Sequence, residues 1–258
     1  MSPFLMLGDP TASLSLALAK GVIADGATML ELGIPFGDPC ADGPTIQAAH
    51  QRALASGTTT ARALEMVADI RRFAPEVPLN LLVYGNIAHA RGFDRFCADA
   101  ALAGASSLLA PDISLEESKP LRDACAKASL GYCALVGPQT DADRLRAIAR
   151  DVTAFVYLVA HQGVTGVRKA PAEELRAATL RVSREIDVPI CVGFGLSTPE
   201  HVRAVFAGGG TVAVVASYLV DAIARAWNLE GDDRELRVAE QFRERARPLV
   251  TTGDLTCL

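Results

Sequence analysis

Short apolar segments rich in β-forming residues alternate with longer amphipathic segments along the whole chain of 258 residues. The apolar segments are near-continuous, which is typical of strands that are covered on both faces. The predicted strands are Phe4–Leu7, Thr28–Leu32, Leu79–Tyr84, Ser107–Ala110, Tyr132–Val136, Ala154–Val159, Pro189–Val192 and Val212–Val215. Eight strand–helix units in a chain of this length predict an α/β protein with the architecture of a (β/α)8 TIM barrel.

A doubly wound open sheet is the competing architecture for alternating strands and helices. It usually needs fewer units, and no G-x-G-x-x-G fingerprint follows the first strand, which weakens its dinucleotide-binding form. The sequence has no linker, charge block or low-complexity segment. We therefore predict a single domain over residues 1–258.

Composition argues against several classes of function. The formal net charge of -5 gives no electrostatic basis for binding nucleic acid. No apolar run is long enough to span a bilayer, and no basic region precedes the apolar N-terminal residues as in a secretory signal. The six cysteines show no C-x-x-C pair and no metal-ligand spacing. We therefore expect reduced thiols in a cytoplasmic protein, with no metal site and no membrane contact.

A carboxyl group lies inside the second predicted strand. The strand reads Met29-Leu30-Glu31-Leu32-Gly33, so Glu31 shares a face with Met29 and Gly33. Burial of an ionised Glu is costly unless it is paired or its pKa rises. No Arg or Lys lies nearby in sequence. Because a carboxyl group that holds a proton near neutral pH can serve as a general acid or base, Glu31 is a catalytic candidate.

Two further carboxylates follow the same strand, in Asp38-Pro39 and Asp42-Gly43. Both are ordinary turn pairs, and Asp also caps helices. For either residue alone, a turn role is the simpler interpretation. Catalytic groups of a barrel nevertheless lie at the carboxyl ends of its strands, which is where this loop is expected.

Three short loops follow the last three predicted strands. Gly163-Val164-Thr165-Gly166 follows the sixth strand, Gly193-Phe194-Gly195-Leu196-Ser197 the seventh, and Ala216-Ser217 the eighth, where it opens a helix. Barrels often hold phosphate in the loops after strands seven and eight and at a helix N-terminus. Each motif alone could be an ordinary tight turn, but the three together favour a phosphate site.

These motifs resemble the signature of the tryptophan synthase α subunit family. Residues 30–47 read LELGIPFGDPCADGPTIQ, and Leu7-Gly8-Asp9-Pro10, Tyr84-Gly85-Asn86 and the three loops follow in the family's order and spacing. The resemblance runs from about Pro3 to the last helix. It implies a lyase that splits indole-3-glycerol phosphate into indole and glyceraldehyde 3-phosphate by retro-aldol cleavage, without a metal or organic cofactor.

The resemblance also implies roles for individual residues. Glu31 would protonate the indole ring carbon and accept the proton of the side-chain hydroxyl, while Asp42 would bind the indole N–H and stabilise its developing positive charge. Thr165 would contact Asp42 from a loop that closes over substrate. The implied phosphate-binding positions are Gly166, Gly195, Ala216 and Ser217. The implied indole pocket consists of Phe4, Leu82, Leu109, Leu135, Tyr157 and Phe194, for each of which core packing is the alternative interpretation.

A tryptophan synthase β subunit is the partner that the resemblance implies, in an α2β2 assembly whose β chain carries pyridoxal phosphate. Asp38 and Asn86 lie at positions that touch this partner in the family, although a simple turn role is the alternative for each. Pro111 and Ser114 flank Asp112, where the family usually has Ala and Pro, in a region that faces the β subunit.

Other positions also depart from the family pattern. The sequence begins almost at the first strand, so we expect the extra N-terminal helix of the family to be lacking. Ala216 stands where Gly is usual, and its methyl group is expected to crowd the phosphate or shift the backbone. Ala160-His161-Gln162 stands in place of Ser-Arg-Ser. A stand-alone indole-releasing lyase, a non-catalytic subunit that activates a β partner, and another phosphate-handling barrel enzyme therefore remain alternatives to the α subunit.

Overall fold

The strands close into a parallel barrel in the order β1 to β8, with β1 beside β8. The computed structural model of the protein describes residues 1–159, 171–193 and 195–252. The strands are β1 (Ser2–Met6), β2 (Leu30–Gly33), β3 (Leu79–Leu82), β4 (Ser107–Leu109), β5 (Gly131–Val136), β6 (Val156–Val159), β7 (Ile190–Gly193) and β8 (Val212–Val215). The predicted (β/α)8 TIM barrel of the α/β class is confirmed, and its strands lie within two residues of the predicted bounds at most ends.

Helices follow the strands and cover the barrel from outside. They are α1 (Ala12–Ala24), α2 (Pro44–Ala55), α3 (Thr60–Phe73), α4 (Gly85–Arg91), α5 (Phe93–Leu102), α6 (Lys119–Lys127), α7 (Ala142–Asp151), α8 (Ala172–Ser183), α9 (Pro199–Ala207), α10 (Ser217–Trp227) and α11 (Arg234–Val250). Local signals set several of their starts. The Thr198 hydroxyl accepts a hydrogen bond from the His201 N–H, and Pro199 follows as the first residue of α9.

Alternate residues of each strand face opposite sides of the barrel wall. Leu30 and Leu32 of β2 pack in the large apolar layer between the barrel and the helices. The barrel interior is a separate, smaller cluster. Its buried members are Met29, Leu109, Cys133, Phe155, Tyr157, Cys191 and Val214. Glu31, between the two leucines, therefore points into the interior.

Two helical segments differ from the sequence prediction. The sequence pattern predicted a helix near Phe93–Leu102 after the third strand, and α5 has these bounds. The short helix α4 before it was not predicted, and Gly92, with φ +83° outside the helical region, separates the two. A helix was also predicted over Leu115–Ala128, but α6 begins at Lys119. Pro120 explains the later start, because a missing N–H costs nothing in a first turn but would break a hydrogen bond further inside a helix.

Within the described ranges, residues 1–159, 171–193 and 195–252, no helix combines the length and the apolar character needed to cross a bilayer. The same ranges contain no group of three or more His, Cys, Asp or Glu side chains arranged to hold a metal ion.

Candidate active site

Glu31 lies in β2 with its carboxyl group inside the barrel. Its side chain is almost fully buried, with 1% exposed, and it lies in register with Phe4 of β1 and Asn80 of β3. Burial raises the pKa of Glu31 to about 8, and the nearby charge of Asp42 adds to the rise. Glu31 therefore holds its proton at neutral pH and can lose it within reach of neutrality, as a general acid or base must.

Neutral side chains contact both oxygens of the Glu31 carboxyl group. Asn80 Nδ2 lies 3.2 Å from Oε1, and the Tyr157 hydroxyl lies 3.4 Å from Oε2. These two hydrogen bonds lower the pKa of Glu31, but less than burial raises it. The Ser107 hydroxyl continues the chain by donating to Asn80 Oδ1 over 2.8 Å. A buried polar chain thus crosses β2, β3 and β4.

Asp42 lies in the loop between β2 and α2, one residue before Gly43, the N-cap of α2. The residue is buried, although it lies in a loop. The Tyr84 hydroxyl donates to Asp42 Oδ2 over 2.8 Å, and His50 Nε2 lies 3.1 Å from the same oxygen. Among the described residues, both side-chain contacts reach Oδ2, so Oδ1 is the oxygen available to a ligand.

The His50 ring is fixed from both sides. Its Nδ1 accepts a hydrogen bond from the Phe36 backbone N–H over 2.9 Å. Because Nδ1 acts as an acceptor, a neutral His50 carries its proton on Nε2 and donates it to Asp42. The Gln47 amide adds a hydrogen bond to the Asp42 carbonyl over 2.8 Å. Helix α2 therefore holds Asp42 at two points, since His50 contacts the carboxylate and Gln47 contacts the backbone carbonyl.

Five of the six residues predicted for the indole pocket are described, and all five face the barrel interior or its rim. Leu109 and Tyr157 belong to the interior cluster, and Leu135 packs against it. Phe4 lies in a neighbouring cluster at the β1 side, and Leu82 contacts both clusters. The structure therefore brings these side chains together around Glu31. Phe194, the sixth residue, lies outside the described residues, as does Thr165.

Gly193 at the end of β7 makes room for Tyr157 on β6. A Cβ atom built at Gly193 would lie 2.0 Å from the Tyr157 hydroxyl oxygen. No side chain can occupy that position unless Tyr157 moves. The sequence assigned Gly193 to the candidate phosphate loop. In the structure, its lack of a side chain also leaves space for the Tyr157 hydroxyl that contacts Glu31.

The predicted phosphate positions lie after β7 and β8. Gly195 has φ +80°, a backbone conformation that favours glycine. Ala216 is the N-cap of α10 with φ −111°, which accommodates a methyl group, and it packs against the cluster that contains Phe4. Ser217 is the first residue of α10, where backbone N–H groups lack helical partners. Gly166 lies outside the described residues.

The residues expected to face a partner subunit lie beyond the carboxyl ends of β2, β3 and β4, in two loops and in the first turn of α4. Asp38, Asn86 and Asp112 are all exposed. Asp112 Oδ1 accepts a hydrogen bond from the Gly85 N–H over 2.8 Å, which ties the loop after β4 to the start of α4. Ser114 in the same loop is also exposed. These loops form one rim of the barrel mouth.

Sequence reasoning missed three residues that contact the candidate carboxyl groups: Asn80, Tyr84 and His50. Asn80 was a detectable signal, because it is a polar residue inside an apolar predicted strand. His50 was another, since it lies on the apolar face of α2 with Ile46, Ala49 and Ala53, all buried. The sequence does not show that Asn80 contacts Glu31 or that His50 contacts Asp42, because these contacts depend on the tertiary structure.

Comparison with known proteins gives a consistent result. The family model described as tryptophan synthase alpha chain matches residues 1–249. The tryptophan synthase alpha chain of Corynebacterium diphtheriae is 41% identical over 224 residues, which are 86% of this chain and 81% of that relative. The alpha chain of Gluconacetobacter diazotrophicus is 43% identical over 229 residues, covering 89% of this chain and 83% of the relative.

Solved structures agree with the sequence relatives. A chain from the tryptophan synthase α2β2 complex of Pyrococcus furiosus superposes with a TM-score of 0.87 at 31% identity, covering 97% of each chain. Tryptophan synthase subunit alpha of Legionella pneumophila superposes with a TM-score of 0.86 at 30% identity, covering 98% of this chain and 92% of that one. Sequence and fold match over nearly the whole chain, and the protein therefore belongs to the tryptophan synthase alpha chain family.

Proposed function

We propose that this chain cleaves indole-3-glycerol phosphate into indole and glyceraldehyde 3-phosphate by a retro-aldol reaction. Membership of the family makes the chain a lyase of tryptophan biosynthesis. The observation that carries the specific reaction is the pair of carboxyl groups, Glu31 and Asp42. One is buried with a pKa of about 8. The other is held at Oδ2 by Tyr84 and His50, and no side chain of the described residues bonds its Oδ1.

In the first step, the Glu31 carboxylic acid protonates the indole ring carbon that bears the side chain. The ring nitrogen becomes positively charged, and Asp42 Oδ1 accepts its N–H hydrogen bond and stabilises that charge. In the second step, the Glu31 carboxylate accepts the proton of the hydroxyl on the adjacent side-chain carbon. The carbon–carbon bond breaks, the bonding electrons return to the ring, and Glu31 is again protonated.

The remaining site residues bind and enclose the substrate. The interior cluster offers an apolar surface for the indole ring through Leu109, Leu135 and Tyr157, with Phe4, Leu82 and Phe194 at its edge. Gly166, Gly195, Ala216 and Ser217 would bind the phosphate, which the free N–H groups at the start of α10 support. Thr165 would contact Asp42 when its loop closes. No step needs a metal or an organic cofactor.

A tryptophan synthase β subunit is the proposed partner, in an α2β2 assembly. Support comes from the Pyrococcus furiosus neighbour, which is part of such a complex, and from the exposure of Asp38, Asn86 and Asp112 at the carboxyl ends of neighbouring strands. We also propose a cytoplasmic location, which the five free thiols among the described cysteines support.

The test is indole release from indole-3-glycerol phosphate by the purified chain, with and without a tryptophan synthase β subunit. We expect cleavage that rises when the β subunit is added. Glu31→Gln and Asp42→Asn should each lower kcat by at least about 100-fold, since each removes a group that acts on the reacting atoms. Glu65→Gln, the same change at an exposed site on α3, is the matched control and should keep the activity.

The outcomes separate the alternatives. Full activity without a β subunit would identify a stand-alone lyase. A folded chain that stimulates a β subunit but cleaves no indole-3-glycerol phosphate would identify a non-catalytic activating subunit. A folded chain that ignores indole compounds altogether would point to another phosphate-handling barrel enzyme.

A further inference from the structure

Asn80 is an amide buried inside the barrel at the centre of the candidate site. It lies on β3, in register with Glu31 on β2 and with Ser107 on β4. None of its surface is exposed. A buried amide is costly unless its donor and acceptor groups are both satisfied, so its contacts define its orientation.

The carbonyl oxygen of Asn80 is occupied by two donors. The Ser107 hydroxyl donates to Oδ1 over 2.8 Å, and the Cys133 thiol lies 3.7 Å from the same oxygen. Burial raises the pKa of Cys133 above its ordinary value, so this group remains a thiol and can act as a donor. With Oδ1 facing Ser107 and Cys133, the NH2 group of Asn80 faces Glu31, and its nitrogen lies 3.2 Å from Oε1.

An amide NH2 group donates hydrogen bonds and cannot accept them. Glu31 Oε1 is therefore an acceptor whether the carboxyl group is protonated or ionised. When Glu31 holds its proton, the Asn80 donor favours Oε2 as the protonated oxygen, because a carbonyl oxygen accepts a hydrogen bond better than the hydroxyl oxygen of an acid.

We propose that Asn80 is a positioning residue that assigns the acid proton of Glu31 to Oε2 and holds that oxygen ready for proton transfer. The inference rests on the proposed acid–base role of Glu31 and extends it to one atom. Ser107 acts one step further out, since its hydroxyl fixes the orientation of the amide. The hydrogen bonds from Ser107 to Asn80 and from Asn80 to Glu31 thus select Oε2 as the reacting oxygen.

The hydrogen bond from Asn80 also stabilises the ionised form of Glu31, against the effect of burial. Other titratable groups face Glu31 from the surrounding elements. They are Asp42 in the loop after β2, Cys133 on β5, Tyr157 on β6 and Cys191 on β7. All of them are neutral or acidic groups, so none supplies a positive charge. The Tyr157 hydroxyl also hydrogen-bonds Glu31 but lies at Oε2, so it does not stand in for the Asn80 donor at Oε1.

The test is the pH profile of kcat/KM for indole release by Asn80→Val, measured with the β subunit present. The alkaline limb reports the loss of the Glu31 proton, which the first step requires. Without the Asn80 donor, we expect this limb to move upward by about one pH unit, together with a fall in kcat of about tenfold. Leu81→Val is the matched control, because Leu81 is the next residue of β3 and faces the outer helices. The alkaline limb of the Leu81→Val profile should stay at the pH of the unsubstituted protein.

Two results would overturn the inference. An unmoved limb in Asn80→Val would mean that the amide does not act on Glu31. A downward shift would mean that the amide carbonyl, rather than the NH2 group, faces Glu31. Ser107→Ala provides a second test if Asn80→Val does not fold, and a smaller upward shift is expected because the amide remains but loses its fixed orientation.

A carboxyl ¹³C NMR titration separates this inference from the proposed reaction. Glu31 should titrate at higher pH in Asn80→Val than in the unsubstituted protein, with Glu31→Gln used to assign its signal. This measurement needs no substrate. If the protein releases no indole but Glu31 titrates at higher pH in Asn80→Val, the proposed reaction fails and the Asn80 contact stands. If indole is released and the titration does not shift, the inference about Asn80 fails alone.

Discussion

His50 Nε2 lies 3.1 Å from Asp42 Oδ2, and both side chains are buried. The other ring nitrogen of His50 accepts the Phe36 N–H, which makes the neutral ring a donor to Asp42. The carboxylate is thereby held from α2, the helix that begins two residues after it. Asp42 is therefore held by side-chain contacts, although it lies in a loop.

Replacement of His50 should weaken catalysis by releasing Asp42. We expect His50→Leu to lower kcat/KM about tenfold or more, because Asp42 loses one of the two donors on Oδ2 and the Phe36 N–H loses its acceptor. His50→Gln keeps a neutral N–H donor of similar reach and should recover part of the activity. Steady-state kinetics of indole release measures both. Equal losses in the two variants would indicate that His50 only fills space.

Tyr84→Phe should affect the same carboxylate from the opposite side. It removes the hydroxyl that donates to Asp42 Oδ2 over 2.8 Å and that accepts the Ala41 N–H over 3.1 Å. We expect a loss of about 1 kcal/mol in the free energy of unfolding and about a tenfold fall in kcat/KM. Tyr132→Phe, the same change in the outer apolar layer, is the control. An unchanged kcat/KM in Tyr84→Phe would show that Asp42 does not need the hydroxyl donor of Tyr84.

Gly193→Ala should act through Tyr157. The new methyl group would lie 2.0 Å from the Tyr157 hydroxyl oxygen, so the ring must move away from Glu31. We expect a loss of about 2 kcal/mol in the free energy of unfolding and a lower kcat. Tyr157→Phe removes the nearest clashing atom, although the ring carbons Cζ and Cε1, at 2.5 and 2.7 Å, must still move. The double variant should therefore be more stable than the sum of the single changes predicts, by about 1 kcal/mol. Strict additivity, measured by urea unfolding, would contradict the contact.

The free energy of unfolding should depend on pH through the titration of Glu31. Its pKa is about 8 in the folded protein and 4.5 in its ordinary state, so the folded state binds this proton more tightly. The contribution of Glu31 to stability is therefore complete below about pH 4.5 and is lost as pH rises to about 8.

Glu31→Gln removes this contribution, and other titrating groups cancel in the comparison. The free energy of unfolding of Glu31→Gln relative to the unsubstituted protein should thus increase over that range, by on the order of 5 kcal/mol at most. Urea unfolding of both proteins at several pH values measures the difference. Parallel curves would mean that Glu31 is ionised in the folded protein at neutral pH.

The amino-acid sequence by itself was enough to predict the barrel and to single out Glu31 and Asp42 as candidate site residues. Strand and helix patterns are local, because they depend on residues two to four positions apart, so eight repeated units could be recognised without tertiary contacts. Glu31 was detectable for the same reason, as a carboxyl group within an apolar strand of period two. The later start of α6 shows the limit of this reasoning, since the apolar pattern extended the predicted helix back to Leu115, whereas Pro120 lies in the first turn of α6.

Only the tertiary structure decided which side chains contact the two carboxyl groups. Asn80 lies 49 positions from Glu31 in the sequence and Tyr157 lies 126 positions away, yet both contact its carboxyl group because the barrel closes. Tyr84 reaches Asp42 across 42 positions. No local pattern encodes these pairings, because they follow from strand register and barrel closure. The pKa of Glu31 depends on them and on its burial, and so becomes defined only once the barrel has formed.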